Sequence, residues 1–462
     1  MVNVIPGSMS PSLPVESQGP FVGVLYGELL AQGIRYFLPA SILTRIGNVE
    51  PIRPVLTSHL TRPDQMQLEW LGGRYTLDSG GRVFTDNETK LLRSIGKVLS
   101  MRYDLLFNAE SAALSSHVFR GLPEDRYVSA FLEPRRVEVA GRQAGVIDRI
   151  SEAIEVLRIS SLSTYENRRI STGVLLFGSQ PDPCHALPDL PAGALPYSTG
   201  LTSIRSFHRI GDGLRTIALV NQDGLMVELI DVQEWAQPYG NAELPVPSAR
   251  RYEIHNRATL CGGHICLILT PNGEIKIFAE GVQVFSFVDG RWRLSDVAEK
   301  YRLWTEALRE EHLARRLFTV ALNLSELRRG GLFVVLHDPE MVRELVSSRD
   351  LLTHQNGVES PRSGSKDQLH YLLRSRRVTE MSPLVLETVA RIDGSIVLDR
   401  NANLLSFGAI LRHNRLMDVE EEVSEGGRTT AAIMASEFGS VLKVSEDGQI
   451  SFYQGGRCIW DL

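Results

Sequence analysis

Ile392-Asp393-Gly394-Ser395-Ile396-Val397-Leu398 and, further along, Gly426-Gly427-Arg428-Thr429-Thr430-Ala431-Ala432 are the two stretches that decide how this chain is read. The first sets an acid, a glycine and a small residue ahead of an apolar run of strand type. The second sets two glycines and an arginine ahead of a run that favours helix. Gly426 and Gly427 are free to take positive φ and let the backbone approach a ligand. A helix beginning near Thr429 then turns its unpaired N–H groups and positive dipole end toward that ligand. Arg428 is suited to fork onto phosphate oxygens. Asp393, at a sheet edge, is suited to hold a divalent cation or to take a proton from a hydroxyl. Together the two stretches read as a nucleotide site. Without the rest of the chain, they read first as a plain turn and helix cap.

Working outward, apolar runs predict strands at 332–337, 396–399, 404–410, 440–445 and 449–453, preceded by an amphipathic helix around Leu308–Leu327. The fold class expected is α/β, with a C-terminal domain over 301–462 built on a mixed sheet flanked by helices.

The region 305–460 resembles the diadenylate cyclase domain family, typified by the DisA N-terminal domain, whose members carry an Asp-Gly-Ala corner and a Gly-x-Arg-His-Arg segment leading into a helix. Asp393-Gly394-Ser395 matches the corner, with Ser for Ala. Gly426, Gly427 and Arg428 match the second segment, while Thr429 and Thr430 replace its His and second Arg. The family's later order is also present: Ser436-Glu437, the strand Val441-Leu442-Lys443-Val444, then Ser445-Glu446 before Asp447-Gly448.

The resemblance implies a nucleotidyltransferase that joins two ATP molecules into cyclic di-AMP across a face-to-face pair of protomers. It makes Asp393, Gly394 and Ser395 the catalytic corner and gives phosphate binding to Gly426, Gly427, Arg428, Thr429 and Thr430. It also implies Mg²⁺ or Mn²⁺ held by Asp393 and Glu446. Such chemistry rests on positioning and charge neutralisation. Thr430 in place of an arginine removes charge where charge develops, and losing one preorganised donor commonly costs about 10²–10³ in rate. A catalytically impaired, nucleotide-binding pseudocyclase is therefore the alternative, and a purely structural interaction protein a third reading. Arg374, Arg376 and Arg377 either supply the missing charge or form a solvated helix face.

Residues 146–300 echo this domain. A helix pattern at Ile147–Leu157 leads to the run Gly173–Phe177, Asp212-Gly213 precedes the run Thr216–Val220, and His264–Leu269, Pro271-Asn272-Gly273 and Glu274–Phe278 follow. Either the unit is duplicated or α/β hairpin units share a common rhythm. A duplicate here would be degenerate: Arg257 lacks preceding glycines and Thr270-Pro271 stands where the Ser-Glu pair would be. Tyr165, Glu166, Asn167 and Arg168 form a polar patch, either a ligand contact or a helix C-terminal turn. Residues 21–145 read as a small module with a helix near Thr89–Tyr103 and a strand at Gly73–Leu77. By the resemblance this module is a sensor region. Residues 1–20 read as a disordered leader.

The remaining composition sets limits. At 462 residues, 43% hydrophobic, the chain suits two or three domains with sizeable cores. A net charge of −6 argues against polymeric DNA or RNA as partner. Four scattered cysteines fit a reducing compartment. Cys261, Cys266, His264 and His255 match no zinc spacing, and Cys266 lies within a strand-like run. With no signal segment and no apolar run near membrane-spanning length, the expectation is a cytoplasmic protein with no membrane partner. Thr353–Gly357 and Ser360–Ser365 lie in a Gly/Ser/Pro-rich stretch that is either a lid or a surface insertion.

Overall fold

The computed structural model describes residues 20–50, 54–107, 119–142, 146–165, 167–204, 206–348, 350–352, 373, 376–412 and 427–462. Gly426, Glu166, Arg374, residues 1–19 of the leader and both segments of the Gly/Ser/Pro-rich stretch lie outside them, while Pro20, expected in the leader, opens a helix. The chain is α/β and divides into two compact units, residues 1–241 with 258–295 and residues 242–257 with 296–462.

In the first unit, strands β1 (Ile42–Asn48), β2 (Thr57–Arg62), β3 (Gln65–Trp70) and β4 (Gly73–Asp78) form an antiparallel sheet of order β1-β4-β3-β2. Alternate residues of β3 and β4 are buried, as a half-covered sheet requires. Over it lie the helices Pro20–Phe37 and Asp86–Phe107, and Trp70 Nε1 donates to the Tyr26 carbonyl at 3.1 Å. After a two-stranded ribbon, β5 (Thr164–Tyr165) and β6 (Arg168–Arg169), come β7 (Thr172–Leu176), β8 (Thr216–Val220), β9 (Met226–Asp231), β10 (Ile265–Leu269), β11 (Ile275–Ala279), β12 (Val282–Val288) and β13 (Arg291–Leu294). These last seven make one sheet of order β13-β12-β11-β10-β7-β8-β9. One continuous core, from Tyr26 and Trp70 through Ile154 to Phe285 and Trp292, joins residues of both large sheets. Of the polar patch, Tyr165 pairs with Arg168 in the two-stranded ribbon and Asn167 has a φ of 62°, so these described residues are not a helix end.

The second unit carries β14 (Gly331–Leu336), β15 (Ser395–Asp399), β16 (Leu404–Ala409), β17 (Gly439–Val444), β18 (Ile450–Gln454) and β19 (Arg457–Asp461) in the order β16-β15-β14-β17-β18-β19. Only β14 and β15 run parallel. Both are buried along their whole length, because a helix covers each face. The helix Glu311–Glu326, capped by Glu310, packs on one face. The helix Gly427–Ala435 packs on the other, where Ala432 and Ala435 meet Val334, Val441 and Tyr453. Residues 242–257 belong here: the Arg250 N–H donates to Asn323 Oδ1 at 2.7 Å, and Arg315 pairs with Glu243 at 2.8 Å.

Read from one edge, the two mixed sheets share order and direction. β12-β11-β10-β7-β8-β9 corresponds to β19-β18-β17-β14-β15-β16, with the single parallel pair at the same place in each. Both parallel partners start at an Asp-Gly corner with positive glycine φ, 70° at Gly213 and 114° at Gly394.

Candidate functional site

The corner before β15 is forced by its glycine. A Cβ on Gly394 would stand 2.5 Å from the Gly408 carbonyl carbon and 2.6 Å from Ala409 N, so β16 closes directly on it. Ser395 is buried, and its hydroxyl donates to the Ala409 carbonyl at 3.0 Å, which ties β15 to β16. Asp393 is left fully exposed at the sheet edge.

Arg428 reaches this edge from the first turn of its helix. Its guanidinium lies 3.9 Å from Asp393 Oδ1 and 2.9 Å from Glu446 Oε1. Glu446 is presented by the turn after β17, where Ser445 donates to the Asp447 carboxylate and Gln449 N–H donates to it at 3.3 Å. The Ser445 hydroxyl and the Gln449 N–H outweigh burial and hold the Asp447 carboxyl below its ordinary range. Three segments, ahead of β15, ahead of β17 and after β17, therefore converge on one exposed spot. Exposed ion pairs contribute little to stability, so packing alone gives no reason for the convergence.

Gly427 departs from the expected conformation. It opens the helix with no positive φ, and a Cβ there would meet nothing within 4 Å. Thr429 points inward, accepting a hydrogen bond from Lys443 Nζ at 2.9 Å, and Thr430 is half-buried. Arg376 and Arg377 are exposed, as a solvated surface requires, but Arg377 bridges to Asn403 and neither lies in a helix. Two residues of this region escaped the sequence reading. A Cβ on Gly330 would lie 2.1 Å from an Arg428 guanidinium nitrogen, so the missing side chain gives the arginine its seat. Lys443 sits within a strand otherwise lined by buried residues. A lysine interrupting an apolar strand run was the signal available for it.

Among the described residues no group of three or more His, Cys, Asp or Glu side chains is arranged to hold a metal ion. Asp393 and Glu446, which both face Arg428, are donors of the type that Mg²⁺ takes together with water and substrate phosphates.

The corresponding corner of the first unit is spent on its own turn. Asp212 Oδ1 accepts from the N–H groups of Leu214, Arg215 and Thr216 at 2.7–2.9 Å. Burial raises its pKa, but those N–H groups outweigh it and hold the carboxyl below its ordinary range. Thr270 is buried, its hydroxyl accepting from Glu274 N–H at 3.2 Å. Arg257 falls in the segment that belongs to the second unit, where it pairs with Glu253 at 2.9 Å.

At the other end of that sheet, His264 joins a buried cluster and not a thiol site. Its Nδ1 accepts from Gly178 N–H at 2.9 Å, so in the neutral ring Nε2 carries the proton that is shared with Asp182 Oδ2 at 2.8 Å. Tyr239 OH and Cys184 N–H also donate to Asp182, and His185 lies 3.2 Å from it while stacking on Trp235. Burial pushes the Asp182 carboxyl up, but these hydrogen bonds hold it well below the usual carboxylate range. Burial lowers His264 against the pull of Asp182. Cys266 is buried in β10, and burial raises its thiol.

No family model and no curated protein matches the chain. Among solved structures, a hypothetical membrane spanning protein from Bacillus cereus is similar at 20% identity, covering 34% of this chain and 69% of that one with a TM-score of 0.25. A double mutant of DacA from Staphylococcus aureus is similar at 14% identity, covering 34% of this chain and 87% of that one with a TM-score of 0.21. At these TM-scores neither likeness bears on function. No described helix is long and apolar enough to cross a membrane.

Proposed function

We propose that the second unit is a nucleotide-binding unit of the diadenylate cyclase type, which condenses two ATP molecules into cyclic di-AMP. One observation carries the reading: Arg428 stands between Asp393 and Glu446, at 3.9 and 2.9 Å, on a surface where such pairing adds little stability. Asp393 and Glu446 would hold Mg²⁺ or Mn²⁺, which when bound supplies a Lewis acid and neutralises developing charge. Arg428, which pairs with both carboxylates in the free protein, would fork onto the triphosphate. At Gly427 an added Cβ would meet nothing within 4 Å among the described residues, and that space admits the phosphates to the backbone of the helix start. Two protomers facing each other bring a 3′-hydroxyl in line with the partner's α-phosphate; as the hydroxyl gives up its proton and the 3′-O–P bond forms, the bond to the β-phosphate breaks and pyrophosphate leaves, once for each ATP, and the first unit regulates that event as a sensor. Ser395, whose hydroxyl donates to the Ala409 carbonyl, holds the corner in shape.

The neutral Thr429 and Thr430 favour a second reading, a pocket that binds nucleotide without turnover. Incubation of the purified chain with ATP and Mn²⁺, followed by mass spectrometry, separates the two. Cyclic di-AMP that disappears in Asp393→Asn and persists in Asp212→Asn supports the enzyme. Nucleotide-dependent stabilisation without product supports the binding protein, and neither response refutes both.

A further inference from the structure

Lys443 is the least expected group on this face. It stands in the interior of β17, opposite Leu332 of β14 and Ser451 of β18, in a strand whose other residues are all buried. Half-burying an ammonium there is costly unless an anion meets it. Its Nζ donates to Thr429 Oγ1 at 2.9 Å and lies 5.7 Å from the Tyr453 ring centroid. Among the described residues no carboxylate stands within ion-pair distance of it. Asp447 is near enough to feel its charge, but that carboxylate is already held by Ser445 and Gln449. An ammonium has three protons to donate, and Thr429 takes one.

Thr429 is also left incomplete. Its oxygen accepts from Lys443, its hydroxyl proton has no acceptor among the described residues, and the residue adjoins Arg428 in the first helical turn. We infer that Lys443 is the second cation of the phosphate site: it fixes Thr429 as a donor and adds, beside Arg428, positive charge toward the phosphates of a nucleotide. The inference rests on the nucleotide reading given above. Lys443 acts through Thr429 and is a positioning residue. Its charge occupies the region where Thr429 and Thr430 carry none.

The test is equilibrium binding of ATP and of adenosine, each with Mg²⁺, to the full chain and its variants at low and high salt. Lys443→Met and Thr429→Val weaken ATP binding about tenfold or more, the scale of one charge-assisted hydrogen bond, and leave adenosine unchanged. Lys443→Arg keeps ATP affinity, and Lys443→Met flattens its salt dependence. Equal ATP affinity in Lys443→Met and the parent chain overturns the inference, as does an equal loss for ATP and adenosine, which marks a packing role. Should Lys443→Met not fold, Thr429→Val and Lys443→Arg decide: loss in the first with retention in the second supports it, and no loss in the first overturns it. If the parent chain binds no ATP and Arg428→Ala changes nothing, the nucleotide reading itself fails and takes this inference with it.

Discussion

Replacing Gly394 by alanine probes how the corner that presents Asp393 is built. At φ 114° an alanine is strained, and its Cβ would stand 2.5, 2.6 and 2.8 Å from the Gly408 carbonyl carbon, Ala409 N and Ala409 O. All three are backbone atoms of β16, so no rotamer change relieves the contact. The unfavourable φ costs about 1–3 kcal/mol and the overpacking a similar amount, for a total of roughly 3 kcal/mol or more. For a domain of 150–250 residues that corresponds to a fall in Tm of about 6–12 °C. Calorimetry of the full chain should show this fall in the transition of the second unit and leave that of the first in place. A shift under about 1 °C would refute the reasoning, since it would mean that β16 moves away at no cost. Gly427→Ala is the matched control: with helical φ and no atom within 4 Å, it should stabilise by about 0.5–1 kcal/mol. If phosphates approach that backbone, the same change weakens ATP binding.

Arg428→Ala should remove nucleotide-dependent stabilisation while leaving the Tm of the free protein nearly unchanged, because its carboxylate partners are exposed; a large loss of Tm would show that the cluster is structural. Asp182→Asn should destabilise the first unit by about 3 kcal/mol in urea unfolding, since Tyr239, His185 and His264 all converge on that buried carboxylate. An unchanged midpoint would remove the cluster from the stability account. The same cluster sets a pH dependence. His264 is held below its ordinary value in the fold, so below about pH 6.5 the unfolded chain binds more protons and stability drops as pH falls. Asp182, held below the usual carboxylate range, contributes above that range and loses its contribution only as the pH falls through its lowered value. Unfolding free energies that are flat from pH 7 to roughly pH 5 would contradict the His264 assignment.

The central strands of both mixed sheets were legible because burial on two faces writes an unbroken apolar run: Thr216–Val220 falls where the sequence puts it, and β10 and β14 within one residue. β19 was missed, as Arg457-Cys458-Ile459-Trp460-Asp461 buries only Trp460 and carries too little periodicity. Most of the antiparallel sheet of residues 42–78 was missed for a related reason, since β1 and β2 are almost wholly exposed. At the site, Asp393, Arg428 and Glu446 were readable as residue types in a known order, and the structure brings them together. The seat at Gly330 and the pairing of Thr429 with Lys443 were not, because each arises from side-chain contact between separate elements that residue types alone do not reveal. Asp182 lay hidden in a proline-rich loop for the same cause.

Residues 242–257 have one last consequence. Because the chain lends this stretch to the second unit and then returns to finish the first, three covalent crossings join the two bodies. Cutting at residue 295 would leave the leading fragment with an orphaned insert and the trailing one without the residues that pair with Asn323 and Arg315. During synthesis that stretch must wait until Asn323 and the rest of the second unit have been made. Removing either half to study the other alone would therefore damage both.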